Sequence, residues 1–506
     1  MSMSYDSTVS RRRILTSLGV FTGFSAAISL LSACGGGAPA TDAQPTTASA
    51  KPAATPPAAS AAAQPTTAAA AVAAPTTAAV TTAQPAPAAK AGAKTEITVW
   101  DWHAPRVELM WNKWFPIYTK DHPDVTFKVT TVPYAEFWKK LIPAIGAKQA
   151  PDMNYFHGAQ QEAIVNAGLL APLPPITFPQ SELEQKFPNA PAVYGPEGKP
   201  YWIPTGVMSG GIYYNKKMWS DAGLAEKDLP DTWDKLVDVA KKLTKKDAGG
   251  RVEVAGFDPN GAIESTAGYL SYQQGYWNYS EDYKHVYIDT PEFRRSIQYF
   301  LDLYDQHKVV SKDFLVWNDA FTSQKAAMVF GWSWFTGSLN TAKVAFDWGV
   351  SRSPSWNGDF KPAVGPGSLD PQSLVVPATT AKEKQSICFD VIKYLYYNQD
   401  FLVDNALTLG SPPSNPATQE NPKVKADATI NALLPQTPYV ITTIGGPPLL
   451  ADAYKNIYEG IFKSGMSLDE GFKKAQQQAD QIMSQGDWKI NERSYQNASL
   501  MKFRTK

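Results

Sequence analysis

The sequence predicts an α/β fold of two lobes, each a mainly parallel sheet flanked by helices. The structured part opens with a strand, a helix and a strand in immediate succession, which builds a βαβ unit and hence a parallel sheet. About 412 residues then follow a low-complexity stretch, too many for one core of ordinary size and typical of two lobes. The same alternation recurs to the end of the chain, with no solenoid period.

The first 34 residues read as a processing segment. Ser10-Arg11-Arg12-Arg13-Ile14-Leu15 gives a charged start, and Leu18 to Leu31 gives an apolar run short of the roughly 18 to 20 residues that span a bilayer. The Arg pair resembles a twin-arginine export signal, whose machinery carries folded proteins. Leu31-Ser32-Ala33-Cys34 resembles a bacterial lipobox, so residues 1–33 are expected to be cleaved and Cys34 to take a diacylglycerol. Two acyl chains anchor firmly where one is marginal.

Gly35 to Lys94 is almost entirely Ala, Pro, Thr, Gln, Ser and Gly, with no aromatic residue. Such a stretch buries too little apolar surface to offset its conformational entropy, so residues 34–94 are expected to form a lipidated, disordered stalk. Its span is roughly 45 Å if fully flexible and up to about 190 Å near polyproline II.

At Thr95 the composition changes, and all fifteen tryptophans lie beyond it. Glu96 to Trp102 is a β-branched run that reads as a strand. Arg106 to Asp121 carries Leu109, Met110, Trp114 and Ile117 at helical spacing, and Val125 to Val132 alternates as the next strand. Further helices are predicted near Thr232 to Thr244, Thr290 to Gln306, Ala381 to Asn398 and Ser467 to Ser484. Pro230-Asp231-Thr232-Trp233-Asp234 is a helix start, with Asp231 or Thr232 as the cap. Asp152, after Pro151, either caps a loop or faces a cleft, and the cap is the preferred reading.

Composition narrows the function. With 47 basic and 47 acidic residues there is no net field to recruit nucleic acid. Of the two cysteines, a lipidated Cys34 leaves Cys388 without a partner, and its apolar helical surroundings predict a buried, inert thiol. There is no His-Glu-X-X-His, paired Cys-X-X-Cys, Gly-X-Ser-X-Gly or phosphate-cradling loop. His103, His122, His157, His285 and His307 make no short metal-ligand spacing, so neither a metal nor a cofactor is expected. Two distant carboxylates of a glycosidase leave no such signature.

Seven segments in order resemble the family 1 extracellular solute-binding proteins of ABC importers, best known for sugar binders of maltose-binding type. They are Ile97-Thr98-Val99-Trp100, His122-Pro123-Asp124-Val125, Gly146 to Asp152, Tyr213-Tyr214-Asn215-Lys216-Lys217, Leu229 to Leu236, Ala326 to Gly331 and Leu409-Gly410-Ser411-Pro412-Pro413. The resemblance implies a periplasmic-binding-protein-like fold of type II whose lobes are joined by a hinge. It implies chain crossings near Thr205, near Phe346 to Ser351 and near Gly410, giving an N-terminal lobe of residues 95–205 and 350–410 and a C-terminal lobe of 206–349 and 411–506. It also implies a monomer that binds a small solute, expected to be a sugar, docks on permease subunits and is held at the outer face of the cytoplasmic membrane.

Ligands of open parallel sheets sit beyond the carboxyl ends of strands. The residues to watch are therefore Asp101, Trp102 and His103 after the first strand, Tyr155, Phe156 and His157 after the third, and Trp332 and Trp334 beyond the Met328 strand. By resemblance, the His157 loop contributes to a sugar site and an indole of the Trp332-Ser333-Trp334 segment stacks on the ligand. A pyranose presents an apolar C–H face to aromatic rings and hydroxyls to polar partners. Candidate partners are Asp101, Asp258, Asn260, Gln273 and Gln274, with Tyr201, Trp277 and Trp356 as further rings. A tryptophan in so large a fold is more often core than ligand, and loop position singles out Trp102 and Trp334. Gly365-Pro366-Gly367-Ser368 either meets the ligand with its backbone or makes a tight connection.

Pro204-Thr205-Gly206-Val207-Met208 stands where some maltodextrin-type members place an acid, so specificity does not travel with the fold. The rival expectations are a secreted carbohydrate-active enzyme, or the same fold binding a peptide, a polyamine or glycerol phosphate.

Overall fold

The computed structural model describes residues 94–160, 164–276, 278–280, 282, 284–359, 367–370, 373–440 and 449–486. The expected signal segment, Cys34, the stalk and Trp277 lie outside the described residues.

The described strands are β1 (Thr95–Asp101), β2 (Val125–Thr131), β3 (Met153–Tyr155), β4 (Gly206–Asn215), β5 (Lys245–Lys246), β6 (Val252–Val254), β7 (Met328–Trp332), β8 (Trp348–Arg352), β9 (Gly367–Asp370) and β10 (Leu374–Val375). The first sheet has the order β10-β3-β1-β2. Its β1 pairs in parallel with β2, from Thr95↔Val125 to Asp101↔Thr131, and with β3 at Val99↔Met153, while β10 closes the edge antiparallel. Alternation along β1 buries Ile97, Val99 and Asp101. Ile97 and Val99 pack with Met110, Trp114, Phe115 and Tyr118 of the helical stretch that follows.

That stretch is not one regular helix. Ala104–Leu109 and Phe115–Asp121 are α-helical, with a wider π turn at Met110–Trp114 between them. Pro116 has no N–H for the carbonyl four residues back, so the regular ladder is interrupted there. Asp152 is a structural tie. Its Oδ2 accepts from the Thr98 N–H and hydroxyl and from Lys384, pinning the start of β3 to the middle of β1.

The second sheet is built around β4. Its outer half is flanked by β7 and β8, both antiparallel, and residues 255–258 run parallel to β7 through the bridges Ala255↔Ala326 and Asp258↔Val329. A separate core fills this lobe, with Trp233, Leu236, Phe257, Phe300, Met328 and Phe472 fully or almost fully buried. Three of the helices that supply it, Trp233–Leu243, Pro291–Asp305 and Leu468–Met483, start on a side-chain cap. Thr232 accepts from the Lys235 N–H, Thr290 from that of Phe293 and Ser467 from that of Glu470, so Thr232 rather than Asp231 is the cap at the Pro230 turn.

The inner half of β4 is where the chain segments gather between the lobes. Gly206 to Ser209 pair antiparallel with Asp370 to Gly367 of β9, Val207 N–H donates to the Pro412 carbonyl, and Ser414 N–H donates to that of Thr205. The crossing expected near Phe346 to Ser351 is corrected. Trp348–Arg352 forms β8 and pairs residue for residue with β4, because the outer half of β4 needs a second neighbour, so the chain is still in the C-terminal lobe there. β9 is the segment that returns alongside β4.

Candidate functional site

The carboxyl ends of β1, β2 and β3 bring a set of rings together. Trp102, just past β1, lies edge-on to Tyr134 at 5.6 Å, to Phe137 at 4.8 Å and, tilted, to Trp138 at 5.4 Å between centroids. His157, past β3, lies 6.0 Å from Tyr134. Tyr134 is 46% exposed, so this shelf presents an aromatic surface to solvent. The Trp138 Nε1 beneath it is buried with no hydrogen-bond partner. Sequence reasoning missed Tyr134 and Trp138. They lie just after β2, in the helix Tyr134–Gly146, and applying the strand-end rule to β2 as well would have found Tyr134.

From the second lobe, Trp334 comes within 6.4 Å of the His103 ring, and it also touches Trp317 at 6.0 Å. His103 is buried; its ring nitrogens make no hydrogen bond of good geometry, although the Trp334 backbone is near enough to act on the ring and partly offsets the lowering of its pKa. Burial first, and the Arg106 guanidinium second, lower its pKa to about 4, so it is neutral at physiological pH. Trp332 sits one turn away, 5.6 Å from Tyr269, whose hydroxyl donates to the Gly367 carbonyl. Gly367 is a backbone participant of β9, and a Cβ there would stand 2.6 Å from the Met208 carbonyl oxygen. Gly365 and Pro366 lie outside the described residues.

Asp101 does not offer a free carboxylate. Its Oδ1 accepts from the Trp102 and His103 N–H groups and from an Arg106 Nη, and its Oδ2 accepts from the Arg106 Nε at 2.9 Å. Tyr155 lies under the same guanidinium, 3.8 Å from it, and is buried. Its expected place in the cleft is corrected to a place in the core, because β3 alternation turns it toward Arg106. Phe156 is fully buried between Trp138 and Trp202, and Tyr201 packs in that same cluster against Gly195.

The polar candidates of the second lobe are mostly structural. Gln273 accepts from Trp233 Nε1 and donates to the Pro354 carbonyl, and Gln274 donates to the Leu270 and Glu292 carbonyls. Asn260 accepts from the Tyr304 hydroxyl and donates to the Ser311 carbonyl. Trp356 donates its Nε1 to the Leu270 carbonyl and carries Arg295 on its ring face at 4.1 Å. These amides and indoles are consumed in holding helices together. Asp258 is fully buried; its Oδ1 accepts from the Asn260 N–H, its Oδ2 has no partner, and burial pushes its pKa up to about 7.

The arrangement therefore offers rings from both lobes and few free charges. Among the described residues no cluster of His, Cys, Asp and Glu could hold a metal ion, and no helix is long and apolar enough to cross a membrane.

Residues 113–432 match the family described as bacterial extracellular solute-binding protein. A Brucella abortus (strain 2308) protein that carries only the name of a binding protein is 24% identical over 380 residues, covering 72% of this chain and 87% of its own. The diacetylchitobiose binding protein DasA of Streptomyces coelicolor is 32% identical over 108 residues, 21% of this chain and 24% of its own. The crystal structure of an ABC transporter solute binding protein from Thermotoga lettingae, bound with α-D-tagatose, superposes with a TM-score of 0.65 at 19% identity, over 77% of this chain and all of the other. The two-lobe fold is thus shared with proteins of this kind.

Proposed function

Because the chain belongs to the bacterial extracellular solute-binding proteins, we propose that it captures an uncharged carbohydrate between its lobes and presents it to the permease of an ABC importer. The observation that carries this reading is the pair of ring surfaces: Trp102, Tyr134 and His157 at the strand ends of one lobe, and Trp334 of the other lobe against His103. Rings on two lobes pack against the C–H faces of a pyranose. The sugars named for DasA and for the Thermotoga lettingae protein support the class.

The electrostatics support a neutral ligand over a polyamine. A di- or tri-cation needs ionised carboxylates, whereas Asp101 is neutralised by Arg106 and Asp258 is buried with a raised pKa. A ligand that touches both lobes only in the closed form favours that form by the difference in its affinities, and the closed form is what a permease reads. Among the described residues we assign those of 95–205 and 373–410 to the N-terminal lobe and those of 206–359, 411–440 and 449–486 to the other. Residues 1–33 direct export, a lipid on Cys34 holds the chain at the outer face of the membrane, and the 34–94 stalk lets the lobes sweep for ligand.

Thermal stabilisation of the Cys34→Ala chain across a panel of neutral, amino and acidic sugars, with chromatography of the sugars afterwards, tests the reading. A shift with neutral sugars that are recovered intact is expected. Turnover of a sugar would convert the reading to an enzyme, and a shift only with a polyamine, peptide or glycerol phosphate would remove the carbohydrate.

A further inference from the structure

The loop that carries Trp102 and His103 is held from beneath. Arg106 is completely buried in the first turn of the helix Ala104–Leu109, and it grips both carboxylate oxygens of the buried Asp101 with its Nε and an Nη. Two rings lie against the guanidinium, with the Tyr155 centroid 3.8 Å and the Trp102 centroid 5.2 Å from its carbon. The carboxylate so fixed accepts from the N–H groups of both Trp102 and His103. One arginine therefore touches the carboxylate that holds the Trp102 and His103 N–H groups and also lies against the Trp102 ring.

A buried ion pair adds little net stability against apolar residues of the same volume, because desolvation cancels much of the attraction. Its planar fork does add geometry, since two parallel bonds to one carboxylate favour one orientation. We propose that Arg106 is a positioning residue for ligand binding: through Asp101 it presents Trp102 and His103 to the cleft in a single geometry. This rests on the reading of Trp102 and His103 as cleft residues. Arg106 itself touches no ligand.

Arg106→Leu alone strands a buried carboxylate and is expected to melt early or not to fold. The informative variant is Asp101→Asn with Arg106→Met, which removes the clamp and leaves no lone charge; Arg106→Lys keeps the charge and loses the fork. Three readouts on the full chain are compared: melting temperature, hydrogen exchange of the Trp102 and His103 amides, and affinity for whichever neutral sugar the parent binds. Expected for the double variant is a melting temperature near the parent's, with amide exchange at least tenfold faster and affinity at least tenfold weaker. Arg106→Lys should shift both in the same direction.

Affinity that returns with stability across the variants would make Arg106 merely structural and overturn the proposal. So would unchanged exchange at residues 102 and 103. If the parent binds no sugar, the carbohydrate reading fails by itself, and the exchange measurement still decides the clamp: faster exchange upholds it and parent-like exchange overturns it.

Discussion

The rings of His103 and Trp334 meet edge to face across the two lobes, 6.4 Å between centroids and 80° between planes. One follows β1 of the first sheet and the other follows β7 of the second, so this contact joins the ends of the two sheets.

Trp334→Ala should accordingly weaken binding of a neutral sugar by about 2 kcal/mol, roughly thirtyfold, while leaving the fold intact because the ring is only partly buried against the core. Calorimetric titration of parent and variant measures it. Phe156→Ala, in contrast, should lower stability by about 3 to 5 kcal/mol through a core cavity.

Asp258 makes stability depend on pH. Its folded pKa is raised by burial from the ordinary 3.8 to about 7, so the folded state holds a proton that the unfolded state has already lost between those values. Its contribution is therefore full below pH 3.8 and falls as pH rises to about 7, by up to about 4 kcal/mol. Asp258→Asn should remove that slope. Urea unfolding of both proteins at pH 5 and pH 8 checks it: the variant's advantage should be several kcal/mol larger at pH 8, and an equal difference at both values would place the carboxyl in contact with water.

Cys388 is fully buried in the first lobe, and burial pushes its thiol well above the ordinary range, with the nearby Asp152 charge adding to the effect. In a Cys34→Ala chain a disulfide-exchange reagent should leave it unlabelled in buffer and label one thiol in denaturant. Rapid labelling of the native chain would show that the first core opens locally.

Gly367→Ala should destabilise the segment between the lobes by about 1 to 3 kcal/mol, since its Cβ would meet the Met208 carbonyl at 2.6 Å across the β4–β9 pair. Chemical denaturation measures the cost, and no loss would mean that the two strands separate easily there.

What could be read from sequence follows from where the information sits. The strands at 96–102 and 125–132 and the helices near 232–244, 290–306, 381–398 and 467–484 carry local periodicity and caps, and they lie within a residue or two of those positions. The break at Met110–Trp114 needed the consequence of Pro116 to be followed one turn back. The site was harder, because a side chain type does not say who its partners are. Asp101 reads as a ligand carboxylate until Arg106, five residues on, is seen to occupy both oxygens, and Gln273 reads as a hydroxyl partner until Trp233, forty residues earlier, is found bonded to it. Trp102 and Trp334 were singled out by loop position, which is a property of chain order and can be read without coordinates.

Isothermal titration of the Cys34→Ala chain with a neutral oligosaccharide panel, run in parallel on Trp102→Ala and Trp334→Ala, tests carbohydrate capture between the lobes most directly. Saturable binding of at least one sugar near micromolar Kd, weakened at least tenfold by each substitution, is the predicted result. Binding that neither tryptophan affects, or no sugar binding alongside tight uptake of a charged solute, would contradict it.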